Sequence, residues 1–283
     1  MESITIEINS FRKKTHEIID LYPLDNMINM EIIKYDDRTM YMFKLNKANS
    51  EMKDIYNWAT RLIQNIIIKV YGAKLINKRL VKLLKAVGKE EKDEIRNGVI
   101  LLLNDDDICC KEKTAIKKEI EDALLENNLF NIDGYLRFKS QKINGLIDKS
   151  IELVIDDMEM ESEYNEFIDM LQFYVDEQIP MIDMVNVIIE KNDFKLFDSY
   201  NNKIENESIN EVIDDIYFDD INKSDVLVSS LIVLAPKKII LHIENDKEEE
   251  LLNVLKKIFR DRLSFCYGCN ICRLNIKKNN DGE

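Results

Sequence analysis

The chain has 283 residues, of which 45% are hydrophobic and 33% charged, with 40 Lys and Arg against 54 Asp and Glu. This balance is typical of a globular protein, and the net charge of −14 argues against wholesale wrapping of nucleic acid. Its seven glycines form neither a G-x-G-x-x-G pattern nor a P-loop, so glycine-built phosphate cradles are excluded. Composition alone therefore names no reaction.

Residues 1–47 predict a small N-terminal α/β unit. Isoleucines at every second position across residues 4–8 predict a half-buried strand, and residues 11–21 then predict a helix. Two runs rich in Ile, Tyr and Phe, 30–35 and 39–45, flank a polar turn. These runs predict a β-hairpin.

The long middle of the chain, residues 48–180, predicts a helical block. Apolar residues recur there at spacings of three and four, and Pro180 ends the pattern. The predicted helices are 50–71, 75–87, 90–103, 112–127, 131–158 and 162–178. We expect no strand between residues 50 and 178.

After Pro180 the spacing of apolar residues changes, and it predicts strands that alternate with helices. The predicted elements are a hairpin of strands 184–190 and 194–198, a buried helix 224–234, a strand 238–243, a helix 245–259 and a short strand 263–266. The last three form a βαβ pattern, whose right-handed crossover makes the two strands parallel. His242 and Cys266, which end these strands, are therefore expected at the same edge of the sheet.

The predicted fold class is α+β, with a central helical block between a small N-terminal α/β unit and a C-terminal α/β unit that ends in a Cys-rich tail. The corresponding domains are residues 1–47, 48–180 and 181–283. Each α/β unit alone would expose an apolar sheet face, so we also expect the two units to pack into a single sheet layer.

The sharpest chemical motif is a C-x2-C-x2-C run directly after the last predicted strand, formed by Cys266, Cys269 and Cys272. Two intervening residues let neighbouring thiolates converge on one ion, which is typical of zinc sites. The run also matches three of the four cysteines of a bacterial ferredoxin motif. The fourth position is Ile276 and no proline follows, so zinc is favoured over an iron-sulfur cluster.

A tetrahedral zinc site needs a fourth ligand, and His242 is the candidate because the βαβ topology brings it to the edge that carries Cys266. The alternative is a histidine that points into the core or bonds a backbone carbonyl. Strand alternation places His242 on the same face as Ile240. The thiols themselves have two other possible roles, as unliganded side chains or as redox groups.

Charge is segregated along the helical block. Residues 61–92 hold nine Lys and Arg against two Glu, whereas residues 152–190 hold twelve Asp and Glu and no Lys or Arg. A basic segment of this kind could bind nucleic acid, but aromatic residues are sparse in it and the rest of the chain is strongly acidic. We expect solvated helix faces, with the two segments facing each other, and no nucleic-acid binding.

The N-terminal residues indicate a cytoplasmic protein without a membrane span. The chain starts Met1-Glu2-Ser3 and lacks the basic and apolar regions of a signal peptide. Its most apolar stretch, 226–235, is ten residues long, half of what a bilayer crossing needs. Five cysteines in such a chain should be free thiols or metal ligands rather than disulfides.

Several segments resemble the YtxC-like family of spore-forming Firmicutes. They are GYLRFK at 134–139, EYNEFI at 163–168, APKKIILH at 235–242, IFRDR at 258–262 and the cysteine run. The resemblance covers about residues 130–275. Members of this family are usually labelled as sporulation proteins, so the resemblance implies a sporulation role but no activity and no catalytic residues.

The favoured function is therefore a non-enzymatic, cytoplasmic, sporulation-associated protein that binds a protein partner and uses its cysteine tail as a structural metal clip. The grounds are the absent cofactor motifs, the presence of only two histidines and the segregated charge. The alternative is a metal- or thiol-dependent enzyme that acts at Cys266, Cys269 and Cys272.

Overall fold

A computed structural model describes residues 3–22, 28–45, 52–190, 193–204, 223–243, 249–266 and 268–269. The chain divides into two compact units, Met1–Glu159 and Met160–Glu283, here called the first and second unit. The α+β class with a helical middle is confirmed. The domain boundaries expected at residues 47 and 180 stay a prediction.

The first unit contains a four-stranded sheet. Its strands are β1 (Ser3–Ile8), β2 (Ile28–Lys34), β3 (Thr39–Leu45) and β4 (Leu129–Asn131), in the order β2-β3-β1-β4. β1 pairs antiparallel with β3 and parallel with β4, and β2 and β3 form the predicted hairpin. Ile4, Ile6 and Ile8 are fully buried, which explains their alternation in the sequence.

Strand β4 contradicts the expectation that residues 50–178 contain no strand. Three residues are too few to show an alternating pattern, and β4 forms because β1 offers an open edge on the side away from β3. Thr5 and Leu129 are paired there. The strand leads directly into the next helix, where the Asn131 side chain accepts a hydrogen bond from the Gly134 N–H at 2.6 Å.

The helices of the first unit follow the predicted order. They are α1 (Arg12–Leu21), α2 (Met52–Ile66), a π-helical turn (Ile67–Tyr71), α3 (Gly72–Leu83), α4 (Lys89–Asn104), α5 (Cys110–Asn127) and α6 (Ile132–Phe138). Helix α7 (Gln141–Glu177) begins in this unit and ends in the second one. The prediction that separate helices cover 131–158 and 162–178 is wrong, because residues 159–161 hold no Gly or Pro that would end α7.

The second unit contains its own four-stranded sheet. Its strands are β5 (Met184–Glu190), β6 (Asp193–Phe197), β7 (Lys238–Ile243) and β8 (Leu263–Cys266), in the order β6-β5-β7-β8. Helix α8 (Lys223–Leu234) precedes β7, and helix α9 (Glu249–Phe259) and a 3-10 turn (Arg260–Arg262) connect β7 to β8. Residues 245–248, predicted to begin α9, lie outside the described residues.

The two faces of the second sheet differ. On one face Val187, Leu241 and their neighbours are fully buried in a core that includes Leu231 of α8 and Leu255 of α9. The opposite face carries His242. The expectation of a single sheet layer is wrong, because within the described ranges no strand of one sheet pairs with a strand of the other.

Candidate metal centre

Strand register places the first two candidate ligands side by side. β7 and β8 are parallel, and His242 and Cys266 are paired residues in that ladder. Paired residues of neighbouring strands project to the same face of the sheet. The prediction that these two residues lie at one edge is confirmed.

The turn after β8 brings a second thiol back toward the sheet. Gly268 has a φ of +117°, a backbone conformation that glycine adopts without steric cost. The next residue is Cys269, whose Sγ lies 3.5 Å from His242 Nδ1. The positive φ of Gly268 therefore directly precedes the thiol that lies beside His242.

One ligand atom from each of His242, Cys266 and Cys269 lies within 4.8 Å of the other two. A tetrahedral zinc ion with Zn–S bonds of ~2.3 Å and a Zn–N bond of ~2.0 Å has S···N edges of roughly 3.5 Å and S···S edges of roughly 3.8 Å. The separation of 3.5 Å between Cys269 Sγ and His242 Nδ1 matches such an edge. Cys272, the third predicted thiol ligand, lies outside the described residues.

Asn186 of β5 supports the imidazole from its other side. Its Oδ1 lies 3.2 Å from His242 Nε2, and its Nδ2 donates to the Asp198 carbonyl at 3.1 Å. Because the amide NH₂ is used by that carbonyl, Oδ1 accepts from the Nε2–H of His242. The lone pair of the neutral ring is then on Nδ1, the atom that faces Cys269.

Burial sets the charge of the ring. His242 is only 5% exposed, and this burial lowers its pKa. The imidazole is therefore neutral at neutral pH, which is the form that binds a metal ion. Cys266 and Cys269 are half-buried, so the cluster lies where the sheet face meets the solvent.

Sequence reasoning missed Asn186. A single amide inside the apolar run of β5 was the available signal, since an unpaired amide at a buried strand position is costly. Its function could be inferred only once the register of β5 against β7, which pairs Asn186 with Ile240, was known. The ring nitrogens of His242 contact the Asn186 Oδ1 and the Cys269 Sγ.

The remaining described cysteines lie elsewhere. Cys109 and Cys110 are at the start of α5 in the first unit, and the Cys109 Sγ lies 3.9 Å from Ser150 Oγ. Within the described residues, neither these two cysteines nor Cys266 and Cys269 form a disulfide. Cys109 and Cys110 therefore provide natural control positions for the cluster.

Ion pairs of the two charged segments are seen among the described residues. Arg79 of the basic segment forms a two-point ion pair with Asp148, which precedes the acidic segment. Within the described ranges the acidic segment pairs instead with Lys149, Lys237 and Arg262. That the two segments face each other stays a prediction.

Within the part of the chain that the structure describes, no helix combines the length and the apolar character that a membrane crossing requires.

Comparison with known families matches residues 57–264 to the model of the YtxC-like family. The matched range includes Asn186 and His242 and ends two residues before Cys266. No curated protein and no solved structure gave a match. The resemblance inferred from the sequence motifs is confirmed.

Proposed function

We propose that this chain, which belongs to the YtxC-like family, is a cytoplasmic, sporulation-associated binding protein whose second unit holds one zinc ion. His242, Cys266 and Cys269 are the ligands, and Cys272 supplies the fourth position. The observation that carries the proposal is the convergence of three ligand atoms within 4.8 Å at the edge of the second sheet.

The donor set favours zinc. Thiolate and imidazole ligands together suit a tetrahedral d¹⁰ ion, whereas most iron-sulfur clusters take four cysteines. The Asn186 amide fits this assignment, because a ligating histidine usually donates its other ring N–H to a fixed acceptor. With four protein ligands the site is closed, so its function is to tie the segment after β8 to β7.

Metal content and thiol reactivity test this proposal. We expect anaerobically purified protein to hold one zinc per chain, with three of its five thiols protected from alkylation. His242→Ala and Cys269→Ser should lose the ion, and the matched variant Cys110→Ser, at an exposed thiol of the first unit, should keep it. Full metal content in His242→Ala, or no zinc binding by the wild-type chain, would contradict the proposal.

A specific observation also favours the alternative of a thiol enzyme. Cys269 Sγ, the His242 ring and Asn186 Oδ1 form a continuous series, and a thiol, an imidazole and an amide are the components of a cysteine nucleophile with its base. That function predicts one thiol that is alkylated rapidly at neutral pH, at a rate unaffected by chelator. A metal site predicts slow alkylation that accelerates when zinc is removed.

We place the protein-binding surface on the C-terminal half of α7. Four large side chains, Met160, Phe167, Met170 and Tyr174, are 50–69% exposed at the spacing of one helix face. Exposed carboxylates such as Glu163 and Glu166 flank them. This combination fits one occupant, a basic amphipathic helix of a partner protein, which would cover the apolar stripe and neutralise the carboxylates.

A designed amphipathic peptide helix, with Leu on one face and Lys on the other, serves as a probe for this surface. We expect it to bind the wild-type chain more tightly than a peptide of the same composition in scrambled order. The double variant Phe167→Ser/Tyr174→Ser should lose this preference, and Leu101→Ser, at an even more exposed apolar residue of α4, should keep it. Equal binding of both peptides to the wild-type chain would contradict the surface assignment.

A further inference from the structure

The first unit contains a cavity of about 470 Å³ whose wall comes from the end of α2, the π-helical turn, the end of α4 and the first turns of α5. This volume falls within the range of small-molecule sites, roughly 300–1,000 Å³. The cavity lies in a different unit from the metal cluster and takes no part in the function proposed above.

The cavity wall is positively charged. Lys69, Lys113 and Lys117 line it against one carboxylate, Asp106. The described ion pairs include none of the three lysines, and Lys113, which is 9% exposed, donates from Nζ to the carbonyl of Asp105. A buried ammonium whose partner is a neutral carbonyl is incompletely compensated, and a bound anion would complete it.

The backbone next to the cavity is also unusual. Ile68 and Lys69 lie in the π-helical turn Ile67–Tyr71, which interrupts the helical phase between α2 and α3. Such turns frequently occur at functional sites, because the wider turn shifts side chains out of their α-helical positions. In the cavity wall, Gln64 Nε2 donates to the Lys113 carbonyl at 3.1 Å and links α2 to α5.

We infer that this cavity binds a small organic phosphate. Three ammonium groups and one carboxylate leave a net charge of about +2, which a phosphomonoester of charge −1.5 to −2 neutralises and a monocarboxylate does not. Lysine is a common phosphate ligand, the Thr114 hydroxyl offers a further donor, and Ile68 and Leu103 form an apolar wall for the organic part.

Calorimetric titration of the full chain with phenyl phosphate, inorganic phosphate and benzoate tests the inference at fixed ionic strength. Phenyl phosphate should bind saturably and at least about tenfold more tightly than benzoate, and inorganic phosphate should bind more weakly than phenyl phosphate. Absence of saturable binding of phenyl phosphate would overturn the site. Equal affinity for benzoate would overturn the choice of phosphate.

Variants distinguish phosphate binding in the cavity from non-specific electrostatic attraction to the basic surface. Lys69→Gln and Lys117→Gln should each weaken phenyl phosphate binding by at least about tenfold. Lys118→Gln, at an exposed neighbour on α5 outside the cavity wall, should leave it unchanged. Equal weakening by all three variants would overturn the inference, because it would indicate a diffuse attraction to the basic surface.

Discussion

Asn186 and His242 are joined across β5 and β7 by a 3.2 Å contact that leaves His242 Nδ1 facing Cys269. The contact holds one nitrogen of the ring and so sets the orientation of the other. Because a misaligned ring nitrogen is a poorer ligand, Asn186 should influence metal affinity without touching the ion.

We therefore predict that Asn186→Leu weakens zinc binding by about 10–100-fold. Competition with a chromogenic chelator measures the affinity. Asn186→Asp should retain most of it, since a carboxylate also accepts from Nε2–H. Wild-type affinity in Asn186→Leu would show that the ring needs no such partner.

Helix packing in the first unit depends on Gly98. A Cβ at this position of α4 would lie 2.8 Å from Val154 Cγ1 on α7, and valine cannot rotate away freely. We expect Gly98→Ala to destabilise the unit by about 1–2 kcal/mol despite its better helix propensity, as measured by urea denaturation.

Gly145 on α7 provides the matched control for Gly98. A Cβ at this position meets no atom within 4 Å. Gly145→Ala should raise the free energy of unfolding by about 0.5–1 kcal/mol. Adding Val154→Ala to Gly98→Ala should restore part of the lost stability, and a stabilising effect of Gly98→Ala alone would show that the helices can separate at little cost.

Asp133 is predicted to make stability depend on pH. Burial raises the pKa of Asp133, but hydrogen bonds from the Asn9 N–H at 2.7 Å, the Ser10 N–H at 3.1 Å and the Tyr71 hydroxyl at 3.0 Å outweigh it. The pKa of the folded state therefore lies below its ordinary value of 3.8. The unfolded chain binds this proton more readily, so the stabilisation is present above that value and is lost as the pH falls through the folded pKa.

The variant Asp133→Asn tests this linkage. It should lower stability by about 1–3 kcal/mol at pH 7, because three donors lose a charged acceptor. Denaturation at several pH values between 7 and 2 should show that its difference from the wild type shrinks in acid. A difference that stays constant over this range would assign the effect to packing.

Removing the side-chain hydroxyl of Thr60 should raise stability, in contrast to the loss expected for Asp133→Asn. This residue of α2 is fully buried, and no described group bonds its Oγ1. Thr60→Val removes the hydroxyl while keeping shape and β-branching, so we expect thermal denaturation to show a gain of about 1 kcal/mol. The same change at the exposed Thr114 should alter stability by less than about 0.5 kcal/mol.

The local pattern of apolar residues predicted the helices and strands whose formation depends on residues close in sequence. The alternation in β1 and the hairpin of β2 and β3 depend on residues close in sequence, and both were predicted to within about two residues. β4 was missed because its formation depends on β1, more than a hundred residues away. The break between α6 and α7 was also missed, since residues 139–140 hold neither Gly nor Pro.

The residues of the candidate site also fall into those that the sequence predicted and those that it did not. The βαβ rule placed His242 beside Cys266 because crossover handedness is a general property of chains. It could not reveal Asn186, whose relation to His242 depends on the register between β5 and β7. Residues that a single βαβ crossover brings together can be predicted from the sequence. Residues that meet only because a third strand pairs in a particular register can be found only from the three-dimensional structure.

The pairing of Thr5 with Leu129 has a consequence for biosynthesis. When β1, β2 and β3 have left the ribosome, one edge of β1 is still without its neighbour, and the 83 residues from 46 to 128 must be translated before β4 begins. At roughly 5–20 residues per second this interval is on the order of 4–17 s. During that time the nascent chain carries an open β edge, the kind of surface on which molecular chaperones act and to which other strands can add.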